Sequence, residues 1–235
     1  MKLLAVVPAR GGSKRIPGKN LRPLAGQPLV LWSVAVGRAL SEVSDVLVSS
    51  DDPEIADVCR RAGALVPWLR PAELATDTAT TVDTCLHALN WYESEHGQVD
   101  GLLLLAPTSP LRRVESARRG CDLFARHRQS SVIAVAPAKS HPMWCFRVED
   151  ERMQPFMAEN GLHLRSQDLP PAYVVAGSFY LIAPELLRSS ETFFIDEMVP
   201  LVVDEDEGID LDTEQDWQRA EVAMALRTQA DPGPA

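Results

Sequence analysis

Apolar residues along this chain fall into short continuous runs, interleaved with longer stretches of helical length. Leu3 to Val7 is such a run and reads as a buried strand; Pro28 to Leu40 has the length of a helix, and Asp45 to Ser49 forms a second strand. Ser50-Asp51-Asp52-Pro53 supplies a helix cap with proline in the first turn, and the helix carries Ile55, Val58, Cys59 and Ala62 to a stop at Gly63. Ala64 to Leu69 is expected to be a third strand and Val82 to Glu95 a helix with Leu86, Leu89 and Trp91 turned to the core. Gly101 to Ala106, the most strongly apolar strand, is expected near the sheet centre, with a helix over Val114 to Arg128 and a strand over Ser131 to Ala136.

Strands and helices alternating at this spacing predict an α/β fold, a mostly parallel sheet with right-handed crossovers and helices on both faces. Ligands of such sheets bind beyond the carboxyl ends of the strands. The pattern breaks after Ala138: residues 139–175 read as an inserted arm, with a hairpin turn at Glu149-Asp150-Glu151-Arg152. A strand, Ala172 to Ile182, follows and is interrupted at Gly177. Near the end, a helix is expected over Thr213 to Arg227 with Asp212 available to cap it, and Gln229 to Ala235 as a disordered tail. Residues 1–228 are thus read as one domain carrying an arm.

Composition narrows the function. At 235 residues and 46% hydrophobic content the chain can bury a full core, and its formal net charge of −10 argues against a general nucleic-acid binder. Apolar runs are strand-sized, so no membrane span is expected, and Met1-Lys2 lead straight into a strand. Cys59, Cys85, Cys121 and Cys145 are too scattered for a zinc site or redox dithiol and read as reduced, mostly buried thiols of a cytoplasmic protein.

Against that acidic background, the loop Pro8-Ala9-Arg10-Gly11-Gly12-Ser13-Lys14-Arg15-Ile16-Pro17-Gly18-Lys19-Asn20 stands out. With Arg22 just beyond, it gathers five cations and three glycines between a strand and a helix. Glycine lets a backbone approach a ligand, and Arg and Lys carry charge to phosphate oxygens, so the loop reads as a polyphosphate cradle. Neither common phosphate motif fits: Gly12 to Gly18 is one residue too long for a Walker loop, Asn20 follows Lys19, and the alternating glycines of a dinucleotide site are absent.

Three further stretches carry candidate chemistry. Leu69 to Thr81, rich in hydroxyls, reads by itself as a connecting loop that caps the next helix. Pro107-Thr108-Ser109-Pro110-Leu111-Arg112 is a proline-locked turn whose hydroxyls can either cap or face a ligand. In Ile209-Asp210-Leu211-Asp212, extended geometry puts both aspartates on one face, which suits Mg²⁺ bound through one or two carboxylates plus phosphate oxygens. His141, alone before a proline, reads as positional rather than catalytic.

The pattern Pro-Ala-Arg-Gly-Gly-Ser-Lys-x-Ile-Pro-x-Lys-Asn, joined by Leu-Leu-x-Pro-Thr-Ser-Pro-Leu-Arg and Ile-Asp-x-Asp-Thr, resembles the acylneuraminate cytidylyltransferases, which make CMP-linked nonulosonic acids from CTP. That resemblance implies a Rossmann-like nucleotidyltransferase fold, with an arm that closes over the sugar and helps form a homodimer. It implies catalytic roles for Arg10, Lys19, Asp210 and Asp212, the aspartates as Mg²⁺ ligands, and nucleotide contacts from Arg10, Gly11, Ser13, Lys14, Lys19, Asn20, Arg70, Asp77, Thr81 and Thr108. For a small acidic acceptor it implies Ala106, Ser109, Trp144, Arg165, Gln167, Tyr180, Phe193 and Phe194. Ala106, Trp144 and Ser166 stand where sialate enzymes carry Gln, Lys and Arg, which points to a legionaminic or pseudaminic type of acid, with a phosphonate as a more distant option. A non-catalytic nucleotide-binding module and a UTP- or GTP-dependent sugar-phosphate enzyme are the competing readings.

Overall fold

Side chains of the first strand, β1 (Leu3–Pro8), divide by parity: Leu3, Ala5 and Val7 enter one apolar layer, Leu4 and Val6 another. A strand buried on both faces produces this division. The computed structural model describes residues 1–230 and builds the molecule around that strand. A short hairpin, β2 (Pro23–Leu24) and β3 (Gln27–Pro28), leads into α1 (Leu29–Arg38), β4 (Val43–Ser49), α2 (Pro53–Arg61) and α3 (Thr81–His96). Then come β5 (Gly101–Leu104), α4 (Val114–Arg126), β6 (Ser131–Pro137), β7 (Phe146–Glu149), β8 (Arg152–Pro155), β9 (Tyr173–Ile182), α5 (Pro184–Ser190), β10 (Met198–Val202) and α6 (Glu214–Ala230).

Six strands form the main sheet in the order β10-β6-β9-β5-β1-β4. The pairs β4/β1, β1/β5 and β6/β10 are parallel; β9 runs antiparallel to both β5 and β6 and joins the two parallel parts. Val30 and Val34 of α1, Ile55 and Cys59 of α2, and Cys121 and Phe124 of α4 cover one face, and Cys85, Leu89 and Tyr92 of α3 with Leu187 of α5 cover the other. A third cluster fastens α6, through Trp217 and Ala220, to Ile16, Leu24, Leu29 and Leu111. The expected α/β architecture with helices on both faces is therefore the observed one, and β5 lies inside the sheet as its apolar run required.

Several boundaries differ, each for a local reason. Ala64 to Leu69 is not a strand: Leu65 makes one isolated bridge to Leu47, after which Pro67 has no N–H to offer and the chain turns so that Arg70 N–H donates to the Ser50 carbonyl. Asp212 does not cap α6. Thr213 does so, its hydroxyl accepting from Asp216 N–H at 3.2 Å while the Asp216 carboxylate accepts from Thr213 N–H at 2.9 Å. The helix continues to Ala230, because no breaker precedes Pro232, so the first two residues of the expected tail are helical; residues 231–235 lie outside those described. The strand β10 and helix α5 had no clear period of their own and form through contact with β6 and α3.

The hairpin expected in the arm is present, β7 pairing with β8 across Asp150 and Glu151, which both take positive φ. Such a turn matches the twist of its strands. Cys59, Cys85 and Cys121 are buried free thiols, and Cys145 is an exposed one.

Candidate active site

The basic loop leaves β1 at the carboxyl edge of the sheet, where the ends of β4 and β5 also lie. Its course is set by bonds to the end of β4. Ala9 N–H donates to the Ser49 carbonyl and Gly11 N–H to the Asp51 carboxylate, each at 2.9 Å. Gly11 has no room for a side chain, since a Cβ there would stand 2.7 Å from an Asp52 carboxylate oxygen. Asp52 is held in place as the cap of α2, accepting from Glu54 N–H and Ile55 N–H. Asn20 is buried, and its amide donates to the Arg10 carbonyl at 2.8 Å, so its side chain braces the loop from within.

An open cleft of about 810 Å³ lies along this edge, within the usual range for a small-ligand site. Of the residues expected to bind nucleotide, Arg10, Ser13, Lys14, Lys19, Asn20, Arg70, Asp77, Thr81 and Thr108 line it; Gly11 lies behind the loop, its amide spent on Asp51. Both Asp210 and Asp212 face the same space, and Leu211 between them is fully buried, the alternation expected of an extended segment. That segment is anchored by Leu211 N–H donating to the Thr108 carbonyl at 2.8 Å and by the Lys19 ammonium donating to the Leu211 carbonyl at 2.7 Å.

The expected acceptor residues divide. Ala106, Tyr180, Phe193 and Phe194 line the cleft, the last two edge-on or tilted against the Tyr180 ring. Ser109 is buried beneath the turn. Trp144 lines a separate cavity of about 590 Å³ in the arm, together with His141 and Ser166. Arg165 and Gln167 line neither cavity; Arg165 pairs with Asp168 at 2.8 Å. His141 uses both ring nitrogens on backbone, Nδ1 accepting from Met143 N–H at 3.2 Å and Nε2 meeting the Pro170 carbonyl at 2.8 Å, which matches a positional role.

Charges in the cleft neutralise one another across it. Asp77 bonds both Arg10, at 3.0 Å, and Lys14, and Asp212 pairs with Arg15 at 2.8 Å, with the Lys19 ammonium 4.0 Å away. Burial lowers the Lys19 pKa, an effect opposed by Asp212 and Asp210. Enclosure by the cleft walls raises the Asp210 carboxyl, the Thr108 hydroxyl partly offsetting this and the Asp212 charge adding to it. Asp210 and Asp212 are the two carboxylates here that could hold a cation. Among the described residues no third His, Cys, Asp or Glu joins them, so the donor set fits a hard ion that takes its other ligands from phosphate and water.

Arg70 and Arg15 show the two ways in which a residue's role was hard to read. Arg70 is buried, its guanidinium bonding the Ser49 hydroxyl at 2.9 Å and the Ser49 carbonyl, so it both lines the cleft and locks the end of β4. Arg15, one of the loop cations, pairs with Asp212 from the far end of the chain, a contact that no local pattern shows. Arg112 carries no motif role of its own in the sequence, and burial beneath the cleft floor lowers its pKa to about 9. Only its place in a proline-bounded turn hinted at it.

With this geometry in view, the likeness to known proteins is specific. Residues 4–98 match the family model described as Cytidylyltransferase. The chain is 35% identical over 233 residues to the CMP-N,N'-diacetyllegionaminic acid synthase of Legionella pneumophila, covering 98% of this chain and 99% of that one. It is 31% identical to the pseudaminic acid cytidylyltransferase of Campylobacter jejuni, covering 94% and 96%. A CMP:2-keto-3-deoxy-manno-octonic acid synthetase, solved in complex with CTP, superposes with a TM-score of 0.73 at 17% identity over 97% of this chain and 100% of that one, a likeness of fold.

Proposed function

Because this chain belongs to the cytidylyltransferase family, we propose that it transfers CMP from CTP to a nonulosonic acid of the legionaminic or pseudaminic type, with release of pyrophosphate. One observation carries the reading: the loop cations Arg10, Lys14 and Lys19 face Asp210 and Asp212 across a single cleft large enough for a nucleotide and a sugar acid. Arg10, Ser13, Lys14 and Lys19 bind the triphosphate, trading their bonds to Asp77 and Leu211 for phosphate oxygens. Asp210 and Asp212 would hold Mg²⁺, which when bound neutralises phosphate charge and lowers the pKa of a nearby hydroxyl. The acceptor's anomeric hydroxyl, releasing its proton to solvent, forms a bond to the α-phosphorus as the bond from that phosphorus to the oxygen bridging to the β-phosphate breaks and pyrophosphate departs. Charge grows on the departing pyrophosphate, and the three cations stabilise it there.

The acceptor end of the cleft is apolar and aromatic, with Ala106 in place of a polar side chain and Phe193, Phe194 and Tyr180 beside it. Such a wall suits the acylated amines and deoxy carbons of these sugars better than a ring of hydroxyls. Burial and the Asp210 charge raise the Tyr180 pKa, so its phenol is a neutral hydrogen-bond donor. The protein works in this reading as a cytoplasmic homodimer formed through the arm. Among the described residues no helix is long and apolar enough to cross a membrane.

Pyrophosphate release with Mg²⁺ and CTP over a panel of legionaminate, pseudaminate, N-acetylneuraminate, 3-deoxy-octulosonate and simple phosphonates tests this, with UTP and GTP as controls. Turnover confined to CTP and one of the first two acids is expected. Binding of CTP with no turnover on any acceptor would favour a non-catalytic module and sink the proposal.

A further inference from the structure

Arg112 is 5% exposed and has no salt bridge among the described residues. The carboxylate whose charge acts on it, Glu207, spends its oxygens on Arg113 N–H and the Ser116 hydroxyl, both at 2.8 Å. Arg112 instead spreads its donors over three uncharged oxygens in three segments. Its Nη2 donates to the Ala106 carbonyl at 3.1 Å, its Nη1 to the Ser33 hydroxyl on α1 at 3.2 Å, and its Nε to the Ser178 carbonyl on β9. Ser33 also donates to the Ala106 carbonyl at 3.1 Å, closing the network. A buried cation with no direct ion pair is costly, and a turn can be closed by far cheaper means.

What the three acceptors share is their position under the cleft. Ala106 begins the turn whose Thr108 carbonyl holds Leu211 N–H and whose Thr108 hydroxyl interacts with Asp210. Ser178 belongs to the part of β9 where pairing with β6 slips, the partners stepping from Ile133 and Tyr180 to Val135 and Val175. That bulge brings Gly177 to the cleft so closely that a Cβ would stand 3.0 Å from the Ser109 hydroxyl and 3.9 Å from the Asp210 carboxylate. A bulge leaves ladder groups unpaired, and the guanidinium takes up the Ser178 carbonyl.

We propose that Arg112 is a positioning residue for CMP transfer, clamping the Ala106–Ser109 turn to the β9 bulge so that Thr108 and Gly177 hold Asp210 and Asp212 in register with the basic loop. This rests on the functional reading above. A planar fork of donors is needed because the acceptors lie in three different chain segments, which a lysine ammonium on a flexible stem cannot bridge in the same way.

Arg112→Lys, Arg112→Gln and Ser33→Ala are compared with the unaltered protein for kcat, KM for CTP, the Mg²⁺ concentration of half-activation, and CTP affinity without metal. In the Arg112 variants kcat falls by about 10- to 100-fold, the scale of small misplacements at a reacting centre, while metal-free CTP affinity stays within about threefold. Half-activation moves to higher Mg²⁺. A merely structural role predicts otherwise: activity lost in proportion to folded protein, with kcat per folded molecule and the Mg²⁺ response unchanged, and that result overturns the proposal. Should neither Arg112 variant fold, Ser33→Ala decides, a several-fold fall in kcat with the same split upholding it and an unaltered kcat overturning it. An unaltered protein silent with every acceptor would sink the functional reading alone. Binding of Mn²⁺ with CTP, followed by electron spin resonance, would still test the clamp, because equal Mn²⁺ affinity in Arg112→Lys and the unaltered protein refutes it.

Discussion

Asp212 and Asp77 show how differently two carboxylates in one cleft can act. Asp212 faces the cleft beside Asp210, and it is not occupied in capping α6. Asp212→Asn is therefore expected to lower kcat by about 10²- to 10³-fold, the scale of losing one preorganised charge contact to a transition state, with little change in thermal stability. Pyrophosphate release at saturating CTP measures the first and a thermal melt the second. Asp77 stands instead where a phosphate oxygen could stand, bonding Arg10 and Lys14 together. Asp77→Asn removes an internal competitor for those cations, so KM for CTP is expected to fall; a rise would mean that Asp77 itself contacts the nucleotide.

At the scale of elements, α6 holds the basic loop in shape through the cluster around Ile16. Trp217 is fully buried against the cluster containing Ile16 of the basic loop, and the Arg22 guanidinium lies 4.2 Å above its ring centroid while bonding Glu214 at 2.6 Å. Trp217→Ala is expected to cost about 3–5 kcal/mol and to loosen the loop with the helix, raising KM for CTP. The Thr213 and Asp216 cap can be tested by pH. Hydrogen bonds from the Thr213 hydroxyl hold the Asp216 pKa below its ordinary value. A depressed folded pKa contributes stability above the unfolded value of about 4 and loses it as pH falls through the folded pKa. Thr213→Ala is thus expected to lower Tm at neutral pH by about 2–4 °C, equivalent to roughly 1 kcal/mol, and the gap to the unaltered protein should narrow on acidification below about pH 4, leaving the share due to the hydroxyl bond with Asp216 N–H.

For the molecule as a whole, the arm is the unfinished part. Val148, Met153, Phe156 and Met157 of the hairpin region are exposed, as are Tyr173, Val174 and Val175 at the start of β9. Exposed apolar side chains in this number favour a partner surface, and in the dimer proposed above a second copy of the chain would cover them. Sedimentation is expected to show a dimer, and Val174→Asp or Phe156→Asp to shift it to monomer while leaving the sheet's melting transition in place. A monomeric unaltered protein would remove the arm's proposed role.

Much of this was legible in the residues because it depends on local periodicity and charge. The buried run Leu3 to Val7, the cap before α2, the hairpin at Asp150 and the alternation of Asp210 and Asp212 about Leu211 are each set within a few residues, and the cluster of cations stands out in an acidic chain before any fold is known. Ala64 to Leu69 misled because its apolar content suits a strand while Pro67 withholds the donor that a ladder needs. Other features depend on contacts between distant parts of the chain. That Arg15 meets Asp212, that Trp144 lies in the arm cavity away from Tyr180, and that Arg112 joins β9 to α1 are consequences of how the sheet orders its strands. The layers, the cationic loop and the aspartate pair are short-range patterns and can be read residue by residue; which charges neutralise one another, and which buried groups hold them, depends on distance in space and emerges only in the folded chain.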